Sequence, residues 1–151
     1  MADCPIFGIY SFKSVVVSLD GRRAIGFADG DDVVSFEPSS ELGEGQVGAD
    51  GAGLFSAFAD QSGLLVLKFL ANSPMNAFLE DKARRVVMNA PGRTFPVSIA
   101  DTSSGEALGC TQAIVQRRPN VTKGKVAQER EWGIWCPCMS YDGTDYPTGG
   151  L

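Results

Sequence analysis

Histidine is absent from the 151 residues. That removes the commonest general base, the usual imidazole metal ligand and the partner that Ser-His or Cys-His catalysis requires. The G-x-S-x-G elbow of serine hydrolases is missing as well, so the expectation is a protein that is not an enzyme and needs no cofactor or metal. No apolar run approaches the roughly 18 residues of a membrane helix. No basic stretch leads into an apolar one after Met1-Ala2-Asp3-Cys4, and a soluble chain without a secretion signal is expected. Lys and Arg are missing between Ala24 and Leu67, and the formal charge is −5. A molecule of that charge exerts no long-range attraction on nucleic acid or an anionic membrane.

What is present is glycine and proline, 18 and 8 residues, spread between short apolar runs. That distribution favours many short strands over long helices. Ile9, Val15, Val17 and Leu19 mark the apolar face of a strand that stops at Asp20-Gly21, a dipeptide suited to a tight hairpin. Strands follow near Arg22 to Phe27 and Val33 to Glu37. Residues 38–53, rich in glycine and without periodicity, predict a long exposed loop. A loop of that length in a small domain is usually functional, so it reads as an interaction arm carrying Glu41, Glu44, Val47 and Asp50. Gly63 to Leu70 is apolar on both faces and predicts the most buried strand. Ser73-Pro74 opens a helix to about Arg85, with Met75, Phe78 and Leu79 at helical spacing and cations in the last turn. Phe95, Val97 and Ile99 then alternate. Leu108 to Arg118 and Val126 to Trp135 supply the last strands, the latter with Val126, Trp132 and Ile134 on one face. The fold class is mainly β, sandwich-like or barrel-like, with one flanking helix. Residues 1–135 form one domain, and residues 136–151 an extension beyond its core.

Charge is segregated along the chain. Eight acids lie between Ala24 and Leu67 with no base, whereas from Lys68 to Glu131 ten bases face six acids. Such runs are either ordinary solvated surface or two complementary patches for head-to-tail association of identical subunits. On the second reading Asp29, Asp31 and Asp32 are candidate lumen or stacking acids. The match of Gly43-Glu-Gly45-Gln-Val-Gly48 to a dinucleotide fingerprint lacks the preceding strand, the following helix and a charge compatible with pyrophosphate. Of the four cysteines, Cys110 lies in a strand pattern. Cys4, Cys136 and Cys138 fall in the terminal segments, where they either cross-link neighbouring subunits or stay free. Cys136-Pro137-Cys138 has the wrong spacing for zinc.

The order of several pieces is more specific than any one of them. Gly26-Phe-Ala-Asp-Gly-Asp-Asp32 before a Val-Val strand, Val47-Gly-Ala-Asp-Gly51, Asn72-Ser-Pro-Met-Asn76, Phe95-Pro-Val-Ser-Ile-Ala-Asp101 and Glu129-Arg-Glu-Trp132 occur in turn. Together, over about residues 9–135, they resemble the tail tube proteins of contractile-tailed bacteriophages, related to the tubes of type VI secretion and bacteriocin particles. The resemblance implies a structural subunit that joins in hexameric rings stacked inside a sheath. Its partners would be other copies of itself, the sheath protein, and baseplate and terminator proteins. Double-stranded DNA would pass through transiently, and no membrane is involved. The arm would reach an adjacent ring and the helix would lie outside the lumen. The alternatives are a tube terminator or baseplate ring protein that does not polymerise, or a carbohydrate-binding sandwich using Trp135, Tyr141 and Tyr146.

Overall fold

The computed structural model describes residues 3–141. In chain order its elements are β1 (Val15–Leu19), β2 (Arg22–Arg23), β3 (Val34–Pro38), β4 (Gly43–Val47), β5 (Gly53–Ala57), β6 (Gly63–Phe69), α1 (Pro74–Val87), β7 (Thr94–Asp101), β8 (Glu106–Arg117) and β9 (Arg130–Cys136). Asp20 and Gly21 adopt left-handed backbone, with φ 54° and 79°. A two-residue hairpin loop needs that conformation at both positions, so β1 turns directly into β2 with Leu19 opposite Arg22.

Seven strands form one antiparallel sheet in the order β2-β1-β7-β8-β9-β6-β3, and β4 and β5 form a separate ribbon. Residues 24–33 tie the two sides of the sheet together. Ala24 N–H donates to Val17 O at 2.7 Å, while Leu70 N–H donates to Gly26 O at 2.8 Å and Ala28 N–H to Lys68 O at 3.0 Å. Phe27 stacks on Phe69 and meets the edge of Phe12. The sheet is thereby drawn toward a barrel-like shape, with β2 and β3 as its edge strands.

Leu65, Leu67 and Phe69 of β6 are fully buried, while Leu64 and Val66 on its other face are half-buried. The two-sided apolar strand is therefore central but is sealed on one side only within a single subunit. Phe95, Val97, Cys110, Ala113, Val115, Trp132 and Ile134 complete the inner face. Helix α1 begins where the sequence predicts. Ser73 Oγ accepts from Met75 N–H at 3.2 Å and donates to Ile25 O at 2.7 Å, capping the helix and tying it to the closing segment. Met75, Leu79 and Ala83 face the core, and Trp132 Nε1 donates to Asn76 Oδ1 at 3.0 Å.

Four sequence expectations are corrected. Ile9 is exposed, and β1 starts only at Val15 after one 3-10 turn at Phe12–Ser14. The sequence 38–53 is not a loop but the first half of the β4–β5 hairpin, whose glycines carry no hydrophobic alternation to read. Val126 is exposed, and β9 starts at Arg130. The segment after Trp135 is not an appendage: Cys136 and Met139 are buried, and Gly109 and Ser140 exchange backbone hydrogen bonds at 2.9 and 2.8 Å. The core thus extends past residue 135. The remainder of the expected extension, including Tyr146, lies outside the described residues.

Candidate functional site

Antiparallel strands give the barrel two distinct ends. At one, β3 finishes at Pro38 opposite the start of β6 at Gly63, and the β7–β8 turn joins Asp101 to its partner Glu106. The β4–β5 arm leaves from this end. At the other lie the end of β6, helix α1, the β1–β2 turn and the β8–β9 connection, residues 118–129. Glu106 and Arg117 bracket the twelve residues of β8, and at about 3.3 Å per residue they stand on the order of 35 Å apart along the strand.

Acids from both halves of the sequence gather at the arm end. Glu41, Glu44 and Asp50 ride on the arm, Asp60 sits at its base, and Asp101 and Glu106 flank the adjacent turn. None of these six is in an ion pair among the described residues. Asp60 accepts from Ser62 N–H at 2.9 Å and from its hydroxyl at 2.6 Å, and Asp101 accepts from Ser103 N–H at 3.0 Å and its hydroxyl at 2.6 Å. These serine hydroxyl and amide donors hold both carboxyls below the ordinary aspartate value, so both turns stay negative well into acid.

At the helix end, three acids are already matched with bases: Asp20 with Lys82 at 3.2 Å, Asp81 with Arg85 at 3.0 Å and Glu80 with Arg118 at 3.1 Å. Lys82 also donates to Gly92 O at 3.3 Å and lies over the Phe78 ring, locking α1 to the β1–β2 turn. Arg22, Arg23, Arg84, Arg93, Arg117, Lys123, Lys125 and Arg130 have no ion pair among the described residues, against Glu129 and Glu131, so this end presents net positive charge.

Asp29, Asp31 and Asp32 do not act as a set. Lys68 Nζ lies 2.9 Å from Asp32 Oδ2; the bond holds the Asp32 carboxyl below its usual value and raises the Lys68 ammonium. Asp32 thus shares its charge with Lys68 while its side chain stays exposed. Asp29 and Asp31 stay exposed, on the rim of an open cleft floored by Val15, Phe27, Val34, Phe36, Ile99 and Leu108.

The register of the arm gives it two unlike faces. Gly43, Gly45 and Val47 pair with Ala57, Phe55 and Gly53, making one face small and apolar, whereas Glu44 and Gln46 pair with Ser56 and Leu54 on the other. A side chain at Gly43 would collide with the Phe55 ring, so this glycine is required where the ring lies across the ribbon. Every residue of β5 is exposed, including Leu54 and Phe55. Strand character here was invisible to periodicity, but Val47 to Gly51 carried a turn signature. Gly51 takes φ 88° and donates its N–H to Gly48 O at 3.0 Å at the tip.

The cysteines divide differently from the sequence expectation. Cys4 and Cys138 are exposed, whereas Cys136 is buried in β9 beside Cys110. Burial, reinforced by Cys110, pushes the Cys136 thiol up to about 12. Cys136 is thereby corrected as a cross-linking residue, since its sulfur faces the core. Among the described residues no three metal-ligating side chains converge, and no helix is long and apolar enough to cross a membrane. Tyr141 leans edge-on against Phe36, and Trp135 lies on the outer face of β9, so the two do not form a sugar platform.

Residues 8–141 match the model of the family described as bacteriophage PhiTE tail tube protein. No curated protein matches the chain by sequence. Among solved structures, it resembles the tube terminating cap of the anti-feeding prophage at TM-score 0.60 and 10% identity, covering 92% of this chain and 94% of that one. It also resembles the sheath/tube terminator of the PVC extracellular contractile injection system, at TM-score 0.57, 11% identity and 93% and 96% coverage. A third likeness is to a chain of the PVC sheath-tube complex, at TM-score 0.56, 12% identity and 89% and 93% coverage. At such identities these likenesses show a shared fold. Because the family model spans nearly all of the described residues, the chain belongs to the PhiTE tail tube family and is a structural component of a bacteriophage tail, not an enzyme.

Proposed function

We propose that the protein is the repeating subunit of the tube itself, forming hexameric rings that stack head to tail into a hollow conduit for double-stranded DNA. The observation that carries this reading is the opposite charge of the two barrel ends, with the arm projecting from the acidic one. Different patches of identical subunits meet in a heterologous contact, and complementary charge sets its register and direction. The arm's small face of Gly43, Gly45, Phe55 and Ala57 packs against the neighbouring ring, and its other face, with Glu44, Gln46, Leu54 and Ser56, looks into the lumen. An acidic lumen repels phosphates and lets DNA slide without sticking. The sheath protein lies against the outside of the tube, and baseplate and terminator proteins close the two ends of the stack. Assembly takes place in the host cytoplasm, with the tail of the virion as the destination.

A second reading is a tube terminator that forms one ring and stops, favoured by the fold likeness to two terminating proteins. Electron microscopy of the purified protein separates the two. Stacked rings or tubes are expected for the tube subunit; single rings at every concentration would establish the terminator instead.

A further inference from the structure

We propose that the N-terminal segment Ile6–Tyr10 of one copy adds as a third strand to the β4–β5 arm of a neighbouring copy, which rests on the tube reading above. The arm is a two-stranded ribbon with both outer edges unpaired, and apart from Gly43 all of its strand residues are exposed. Two strands alone are marginal in water, and open edges carry backbone donors and acceptors ready to accept another extended chain.

The N-terminal segment has the complementary problem. Ile6, Phe7, Ile9 and Tyr10 are exposed, Phe7 completely, and residues 3–11 form no helix or strand. Four large apolar side chains within five residues mark a surface that another molecule covers. The match between the two is one of length and of chemistry. Ile6–Tyr10 has five residues, as do β4 and β5. Placed as a strand, Phe7 and Ile9 share one side, and the arm's glycine- and alanine-lined face beside Val47 and Phe55 leaves room for them. The segment leads into β1 at Val15, opposite Asp101, so it emerges at the same end of the barrel as the arm. Among the described residues no hydrogen bond or ring contact joins the two within one chain, and a second copy supplies the contact.

Two experiments on the full chain test this. In a Cys138→Ser background Cys4 is the exposed native thiol, and a single cysteine is introduced on the arm by Leu42→Cys, Gln46→Cys, Leu54→Cys or Phe58→Cys. Oxidation of assembled particles should give a covalent ladder on a non-reducing gel with at least one of the four, and none with dissociated subunits. Separately, Phe7→Asp/Ile9→Asp should leave the subunit's melting temperature unchanged. It should raise the concentration needed for assembly roughly tenfold or more, the scale set by burial of one large apolar side chain. Tubes of normal length from the double variant, or tubes with no ladder at any arm position, would overturn the pairing and leave the tube reading standing. Wild-type protein that forms neither rings nor tubes would overturn the tube reading, and the pairing with it.

Discussion

Residue-level chemistry separates the cysteines into two kinds. Cys4 and Cys138 face solvent, while Cys110 and Cys136 are sealed beside each other between β8 and β9. A thiol-reactive dye should therefore titrate two groups in the native subunit and all four after denaturation. Four fast groups in the native state would contradict the burial. Cys136 also carries a pH consequence. Its folded value is about 12 against an ordinary 9.0, so above pH 9 the unfolded chain gains free energy by ionising a thiol that the fold keeps neutral. Stability should decline as pH rises from about 9 toward 12, and Cys136→Ala should flatten that decline in thermal melts. The strand pattern around Cys110 marked it as buried, but nothing in the sequence marked Cys136. Cys136 stood beside Pro137 and a stretch without periodicity, and only the register of β9 against β6 reveals that it alternates with Trp132 and Ile134. The ion pair of Asp32 was hidden for the same reason: its partner Lys68 is 36 residues away.

Elements with a hydrophobic period were legible. The Asp20-Gly21 turn, β6, β7 and α1 with its Ser73 cap lie where side-chain spacing places them. Leu79 is fully buried at the centre of the helix's inner face; Leu79→Ala should cost about 3 kcal/mol in denaturant unfolding, and a loss below about 1 kcal/mol would show that α1 is not packed as described. The arm was legible as a projecting interaction segment but not as a hairpin, since its strands are built on Gly43, Gly45 and Gly53. Its isolation from the core gives a sharp test. Pro38 and Gly63 are already paired, and Ser39 N–H donates to Ser62 O at 2.9 Å, so a short Gly-Ser turn can replace residues 42–58 without disturbing the barrel. Melting temperature should change by no more than a few degrees, while stacking is lost in electron micrographs. Tubes of normal length from this variant would remove the arm from the assembly contact.

For the whole molecule, composition predicted a β-rich domain without catalytic equipment, and the family match and fold agree with it. Where the charge runs sit was beyond the sequence, because which acids share an end depends on strand pairing and not on chain order. Asp101 and Glu106 belong to the base-rich half of the sequence, yet they join Glu41 and Asp50 at the acidic end. If that polarity drives stacking, tubes should shorten and dissociate as salt is raised, since screening weakens exposed charge contacts. Head-to-tail stacking is tested most directly by a cryo-electron microscopy reconstruction of the assembled protein. Six-fold rings are expected, in which the arm end of each subunit, with Glu41, Asp101 and Glu106, faces the Lys123 and Lys125 end of the ring beyond it. Rings meeting arm end to arm end, or an arm end turned to solvent in every ring, would contradict it.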